Sequence, residues 1–294
     1  MPSFYQRFQE SARNFPDNIA LEIQRASAVE RVTFAELARM SESVAYWLST
    51  RVPRDARIAI LAANHPRWVA AYLGIVAAGR TAVPLDTAFH ADQVKKLLID
   101  SGATLLFCDV QHLAVAAEAV KGLKVDLVMT SAAADRIPTI ETATPAADTE
   151  RNKSKNDLDI GPGGPRISES FAADLDSIFA AGPAGFQPIV PADNDLAALL
   201  YTSGTTADPK GVMLTHANLV GEANSVFAVV QIDSRDALLG ILPMFHVLAQ
   251  MANLFLPLFN GARVVYLETL NTTELLRALQ ILRVRCVFYA PSPR

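Results

Sequence analysis

Between two apolar runs, Leu199-Leu200-Tyr201 and Val212-Met213-Leu214, the chain reads Thr202-Ser203-Gly204-Thr205-Thr206-Ala207-Asp208-Pro209-Lys210-Gly211. Short hydroxyl side chains, two glycines and one lysine suit the holding of phosphate oxygens. Gly204 and Gly211 let the backbone come close and take positive φ where a Cβ would clash. Ser203, Thr205 and Thr206 each present a hydroxyl, and Lys210 supplies a mobile point charge for a polyphosphate. The stretch is not the pattern G-x-x-x-x-G-K-[ST], because Gly211 follows Lys210 instead of preceding it. A strand, a different phosphate loop and a second strand are expected. Further on, Leu238-Leu239-Gly240-Ile241-Leu242-Pro243-Met244-Phe245-His246 reads as a strand ending at Pro243 and a bend carrying Phe245 and His246. An apolar helix reaching Leu258 follows. Bends at the carboxyl ends of strands are where open α/β sheets bind ligands, although a lone histidine in an apolar setting is more often a core residue.

The run Tyr201 to Gly211, continued by Val212-Met213-Leu214-Thr215-His216, resembles the signature loop of the adenylate-forming enzymes: acyl-CoA synthetases, luciferases and peptide-synthetase adenylation domains. In that family the loop grips the β- and γ-phosphates of ATP while a carboxylate attacks the α-phosphorus. The resemblance therefore implies that Thr202, Ser203, Gly204, Thr205, Thr206 and Lys210 contact ATP phosphates. Ala207 stands where the family usually has glycine, which implies a stiffer loop tip and weaker ATP binding. Val32-Thr33-Phe34-Ala35-Glu36-Leu37 and the segment Leu73 to Asp86 resemble the family's first and second motifs. Pro243-Met244-Phe245-His246 resembles the fourth motif of acyl-CoA synthetases, which puts Phe245 and His246 at the acyl pocket and its gate.

The implied reaction joins a fatty or aryl carboxylic acid to ATP, giving an acyl-adenylate and pyrophosphate, and then passes the acyl group to coenzyme A. Mg²⁺ accompanies the ATP, and no metal site made by protein side chains alone is expected. The family's adenine- and metal-binding Tyr-Gly-x-Thr-Glu segment, ribose-binding aspartate and C-terminal catalytic lysine are expected beyond residue 294. The resemblance thus implies the N-terminal portion of such an enzyme, incomplete at its C-terminus and inactive or nearly so alone. Two alternatives stay open: a ligase that loads acyl groups on a carrier protein, and a non-catalytic protein that binds nucleotide or acyl ligand. Neither the acid nor its chain length is written in these residues.

The elements that must position these stretches read as α/β. Thr33 and Glu36 make a capping box, and Phe34, Leu37, Met40, Val44, Trp47 and Leu48 recur at helical spacing up to Pro53, with Trp47 on the core side. The strand Arg57 to Ala62, a helix capped by Asn64-His65-Pro66 and stopped at Gly79, and the strand Thr81 to Leu85 form a βαβ unit, so its strands should be parallel. A helix stopped at Gly102, the strand Thr104 to Cys108, a helix over 112–121 and the strand Val125 to Met129 continue the pattern. The composition then shifts to Ala, Pro, Thr and Gly, and Ala132 to Ser168 reads as a mobile surface connection. A short helix around Asp174 to Ala180 should dock back. Thr215 can cap a helix running to about Val229. The strand Arg263 to Leu267, a helix opened by Asn271 and the strand Cys286 to Tyr289 follow. The expected fold is a set of stacked, helix-flanked, mostly parallel sheets. Residues 54–130 plus 190–222 form the first sheet region, 131–189 an irregular connection, and 1–53 plus 223–294 an incomplete second region.

Composition limits the remaining classes. The 294 residues are 51% hydrophobic and 19% charged, with a formal net charge of −4. Ample core is available, and no basic cluster stands out to bind nucleic acid. Cys108 and Cys286 both lie in apolar runs, as reduced core residues do in a cytosolic protein. The first residues lack a cationic segment followed by an apolar one, and no stretch approaches the length of a membrane span. A cytoplasmic location is expected, with peripheral contact to membranes left open and no amphipathic anchor evident. Exposed sheet edges would favour association into homo-oligomers.

Overall fold

A computed structural model describes residues 2–25, 28–131, 172–202, 209–269, 271–281 and 286–287. Its architecture is two stacked sheets with helices between and outside them.

The chain opens with α1 (Phe4–Asn14), started by a capping box in which the Gln6 amide donates to Ser3 and the Gln6 side chain accepts from the Ser3 amide. β1 (Ile19–Gln24) and β2 (Val29–Thr33) form an antiparallel pair. α2 (Phe34–Ser49) carries the Thr33/Glu36 capping box read from the sequence. β3 (Arg57–Leu61), α3 (Pro66–Ala77) and β4 (Thr81–Pro84) form the parallel βαβ unit. α4 (Ala91–Ser101) ends at Gly102, whose φ of 65° is the left-handed C-cap conformation. β5 (Ala103–Cys108), α5 (Leu113–Ala119) and β6 (Asp126–Met129) follow.

The connection expected over Ala132 to Ser168 lies outside the described residues. Beyond it, β7 (Ala173–Asp174) precedes α6 (Leu175–Ala181), the short helix expected around Asp174 to Ala180. The reason is local: Asp174 Oδ1 accepts from the Ser177 amide at 2.8 Å, and Leu175, Ile178 and Phe179 are buried. β8 (Leu196–Thr202) and β9 (Lys210–Thr215) then lead into α7 (His216–Phe227). β10 (Ala237–Leu239), α8 (Val247–Gln250), a π-helical turn (Met251–Phe255), α9 (Leu256–Phe259), β11 (Arg263–Leu267), α10 (Thr272–Ile281) and β12 (Cys286–Val287) complete the order.

The larger sheet has the order β7-β6-β5-β3-β4-β8-β9 and is parallel except for the edge strand β9. The smaller has the order β12-β10-β11-β1-β2 and is parallel except for β2. Alternation along the strands sorts the core into layers. Ile58, Ile60, Leu105 and Phe107 face inward with α1, α2, α3 and α7, where they meet Leu21, Ile23, Val264 and Tyr266 of the smaller sheet. Ala59, Leu61, Leu106 and Cys108 face outward under α4 and α5. Leu239 and Val265 face outward under α10. Trp47 belongs to the inner layer, with the Arg51 guanidinium 4.7 Å from its ring centroid.

Candidate functional site

The hairpin of β8 and β9 carries the first candidate residues. β8 is buried from Ala197 to Tyr201, Thr202 at its end is exposed, and β9 begins with exposed Lys210. The antiparallel register sets Thr202 directly opposite Lys210, Tyr201 opposite Gly211 and Leu200 opposite Val212. A threonine hydroxyl and a lysine ammonium therefore close the mouth of the loop. Ser203, Gly204, Thr205, Thr206 and Ala207 lie outside the described residues. Gly211 is a strand residue rather than a turn glycine. A Cβ there would stand 3.1 Å from Leu199 Cδ1 and 3.3 Å from Tyr201 Cε1, so its use is to leave room for the cross-strand ring. The Tyr201 hydroxyl donates to Asp100 Oδ2 at 2.6 Å, and burial with that carboxylate raises its pKa well above the ordinary phenol value.

Because β4 and β8 are parallel, Thr202 lies at the same end of the large sheet as the carboxyl end of β3. Two strand spacings, about 10 Å, separate β3 from β8. At that end the strand order reverses, β3 leading to β4 on one side and β5 to β6 on the other. Such a crevice is the usual ligand position in open sheets. Asp109 closes it: Oδ2 accepts from the Ala63 amide at 2.8 Å, and Oδ1 accepts from the His112 amide and lies 2.6 Å from His112 Nδ1. Burial pushes the Asp109 carboxyl up, but the hydrogen bonds from His112 and Ala63 outweigh it and hold the group below the usual carboxylate value.

The second candidate stretch is bound to this same end. β10 stops at Leu239, four residues short of the expected Pro243, and Gly240 makes one more ladder contact, its N–H donating to the Val265 carbonyl at 2.8 Å. The peptide groups that follow would lack partners, and Asn64, just beyond β3, supplies them. Its Nδ2 donates to the Gly240 carbonyl at 3.2 Å and the Leu242 carbonyl at 2.8 Å, while Oδ1 accepts from the Met244 amide at 3.0 Å. From behind, Gln250 Nε2 donates to the Met244 carbonyl and Asn253 Nδ2 to the Leu242 carbonyl. The Tyr72 hydroxyl in turn donates to Gln250 Oε1 at 3.0 Å, which orients that amide.

The apolar helix expected after the bend is a composite of α8, the π-helical turn and α9. Pro257 explains part of this, since it has no N–H to give to the carbonyl four residues back, that of Asn253. The buried Tyr266 hydroxyl donates to that carbonyl instead, at 3.3 Å. With these supports the bend presents Phe245, half-buried, and His246, exposed, with ring centroids 4.3 Å apart. Sequence reasoning singled out Phe245 and His246 but not Asn64, Gln250 or Asn253. Asn64 entered only as part of a helix cap, and its partners lie some 180 positions away.

The remaining histidines are structural where their contacts are known. His65 caps α3 by accepting from the Arg67 amide. His216 follows the Thr215/Asn218 capping box, is buried, and has an Nδ1 without a hydrogen-bond partner. Cys108 is buried, and burial followed by Asp109 pushes its thiol up to about 12, so it is not a nucleophile. The Cys286 side chain lies outside the described residues. Among the described residues, no group of three or more His, Cys, Asp or Glu side chains could hold a metal ion, and no helix is long and apolar enough to cross a membrane.

Two stacked, mostly parallel sheets form an α/β fold that gathers the hairpin mouth of Thr202 and Lys210 and the buttressed bend at one common end of the large sheet. A family model described as AMP-binding enzyme matches residues 8–293, and the chain belongs to that family. It is 30% identical over 259 residues to oxalate–CoA ligase of Arabidopsis thaliana, covering 86% of this chain and 43% of that protein. It is 29% identical over 263 residues to feruloyl-CoA synthase of an Amycolatopsis species, covering 89% and 44%. Among solved structures, apo MatB from Rhodopseudomonas palustris superposes with a TM-score of 0.71 at 22% identity, covering 96% of this chain and 48% of that one. The chain thus spans less than half the length of these relatives, and the structural likeness is one of fold.

Proposed function

We propose that the chain carries the ATP-phosphate and acyl-side half of an AMP-forming acid–thiol ligase that activates a fatty or aryl carboxylic acid. The observation that carries this reading is the meeting of two pieces at one end of the large sheet: the Thr202/Lys210 hairpin mouth and the Phe245-His246 bend tied there by Asn64. Thr202 and Lys210, with Ser203, Gly204, Thr205 and Thr206 of the intervening loop, hold the β- and γ-phosphates. Phe245 and His246 border the acyl pocket. The acid carboxylate attacks the α-phosphorus of ATP, pyrophosphate leaves, and the coenzyme A thiol then displaces AMP from the acyl carbon. Positioning and neutralisation of phosphate charge supply most of the catalysis.

The donor set suits a polyphosphate: a hydroxyl and an ammonium stand opposite each other across the hairpin. Mg²⁺ in this reading enters with the nucleotide. In this reading residues 54–130 with 190–222, and 1–53 with 223–294, are the two sheet regions of one N-terminal domain of a cytoplasmic enzyme. The relatives named as CoA ligases and the family match support this acceptor. The test is to supply the full-length protein with ATP, Mg²⁺, coenzyme A and a panel of fatty and aryl acids, and to follow acyl-CoA by mass spectrometry. Acyl-adenylate without thioester would point to a carrier-protein acceptor, and ATP binding with neither product to a non-catalytic binder.

A further inference from the structure

We infer that Asn64 is a positioning residue that fixes the acyl-side bend relative to the ATP-side sheet, acting on the reaction through Phe245 and His246. The inference rests on the reading of that bend as the acyl side.

The side chain has the chemistry for the task. A neutral carboxamide is both donor and acceptor, and Asn64 spends both functions on one segment, reading the peptide groups of residues 240, 242 and 244 as a neighbouring strand would. Its backbone belongs to the turn between β3 and α3 of the large sheet, whereas the bend continues β10 of the small one. Among the described contacts, these three hydrogen bonds tie the bend's own peptide groups directly to the end of β3. The buttress from Gln250 and Asn253 comes from the bend's own helix and reaches α3 indirectly, through the Tyr72 hydroxyl on Gln250, whereas Asn64 acts directly. A carboxylate at position 64 would keep the acceptor for the Met244 amide but set negative charge against two carbonyl oxygens. A serine would be too short to span either carbonyl and would leave α3 and its cap in place.

Attack of a carboxylate on a phosphorus depends on the relative placement of two bound substrates, and an error near 1 Å can lower the rate on the order of 100-fold. In the full-length protein, Asn64→Ser should therefore raise KM for the acid and slow acid-dependent ATP–pyrophosphate exchange by roughly 10- to 100-fold. The dissociation constant for ATP should stay within about twofold of the parent. In a His246→Ala background, the further effect of Asn64→Ser should shrink to within about threefold, because both changes act on one element. Asn64→Asp should reproduce the split between acid and ATP parameters, and circular dichroism would establish that each variant is folded.

Three results would overturn the assignment. The first is unchanged acid kinetics in folded Asn64→Ser with His246→Ala impaired, which removes the positioning role alone. The second is equal loss of acid and ATP binding, or multiplicative effects in the double variant, which would mean a general structural role. The third is unaltered acid kinetics in His246→Ala, which removes the acyl-side reading and this inference with it.

Discussion

At the scale of single residues, short-range hydrogen bonds fix where elements begin and which segments can bind. Thr33 and Glu36 form their capping box, Thr215 caps α7, and the Thr202 to Lys210 stretch sits between two strands as its composition requires. Asn64 and Asn253 act at longer range, their side chains holding peptide groups 176 to 180 and 11 positions away in sequence, respectively. His216 shows a third situation. Its ring is buried with Nδ1 unpartnered, and burial lowers its pKa from the ordinary value, only partly offset by Asp195. The folded state then binds fewer protons at this site than the unfolded chain does. Stability is present above the unfolded value of about 6.5 and is lost as pH falls below it toward the lowered folded value. His216→Gln should therefore reduce the fall in Tm between about pH 7.5 and about pH 5.5. An identical slope in parent and variant, measured by thermal unfolding across that range, would contradict the assignment.

At the scale of elements, period-two and helical apolar patterns sufficed for β3, β4, β5, α2 and α4, whose alternate faces meet different layers. They failed where an element's end is decided by a contact. β10 stops at Leu239 because, after the Gly240 N–H, it is Asn64 and not a neighbouring strand that meets the peptide groups of residues 240, 242 and 244. α1 and β1 went unread, although Ser3 and Gln6 were a legible cap. Gly240 shows how tightly the bend is held. A Cβ there would lie 2.5 Å from Cε1 of Tyr266, a buried ring pinned by its hydrogen bond to the Asn253 carbonyl. Gly240→Ala should cost about 1–3 kcal/mol of stability through overpacking, read as a shift in the denaturant midpoint. It should also loosen the 240–246 segment, giving faster amide exchange there than in β3. A midpoint equal to that of the parent would show that Tyr266 has room to move.

At the scale of the whole molecule, the parallel order of the two sheets follows from alternating strands and helices, but which strand joins which sheet depends on long-range pairing. β1 pairs with β11 across most of the chain, a choice that no local signal reports. Among the described residues the order leaves β9 at the edge of the large sheet, with Val212 and Met213 exposed at 42% and 62%. An apolar edge of this kind invites pairing, so this 294-residue chain should self-associate. Met213→Lys should weaken the association at least about tenfold in sedimentation equilibrium. An unchanged association constant would place the contact elsewhere. The central claim is that this fold holds the phosphates of ATP at the β8–β9 mouth while a carboxylic acid attacks. It is tested most directly by acid-dependent ATP–pyrophosphate exchange in the full-length protein, parent against Lys210→Ala. Exchange that requires a fatty or aryl acid, and that falls roughly 10- to 100-fold on loss of the lysine charge, is the expected result. Absence of acid-dependent exchange in the parent, or exchange indifferent to Lys210→Ala, would contradict it.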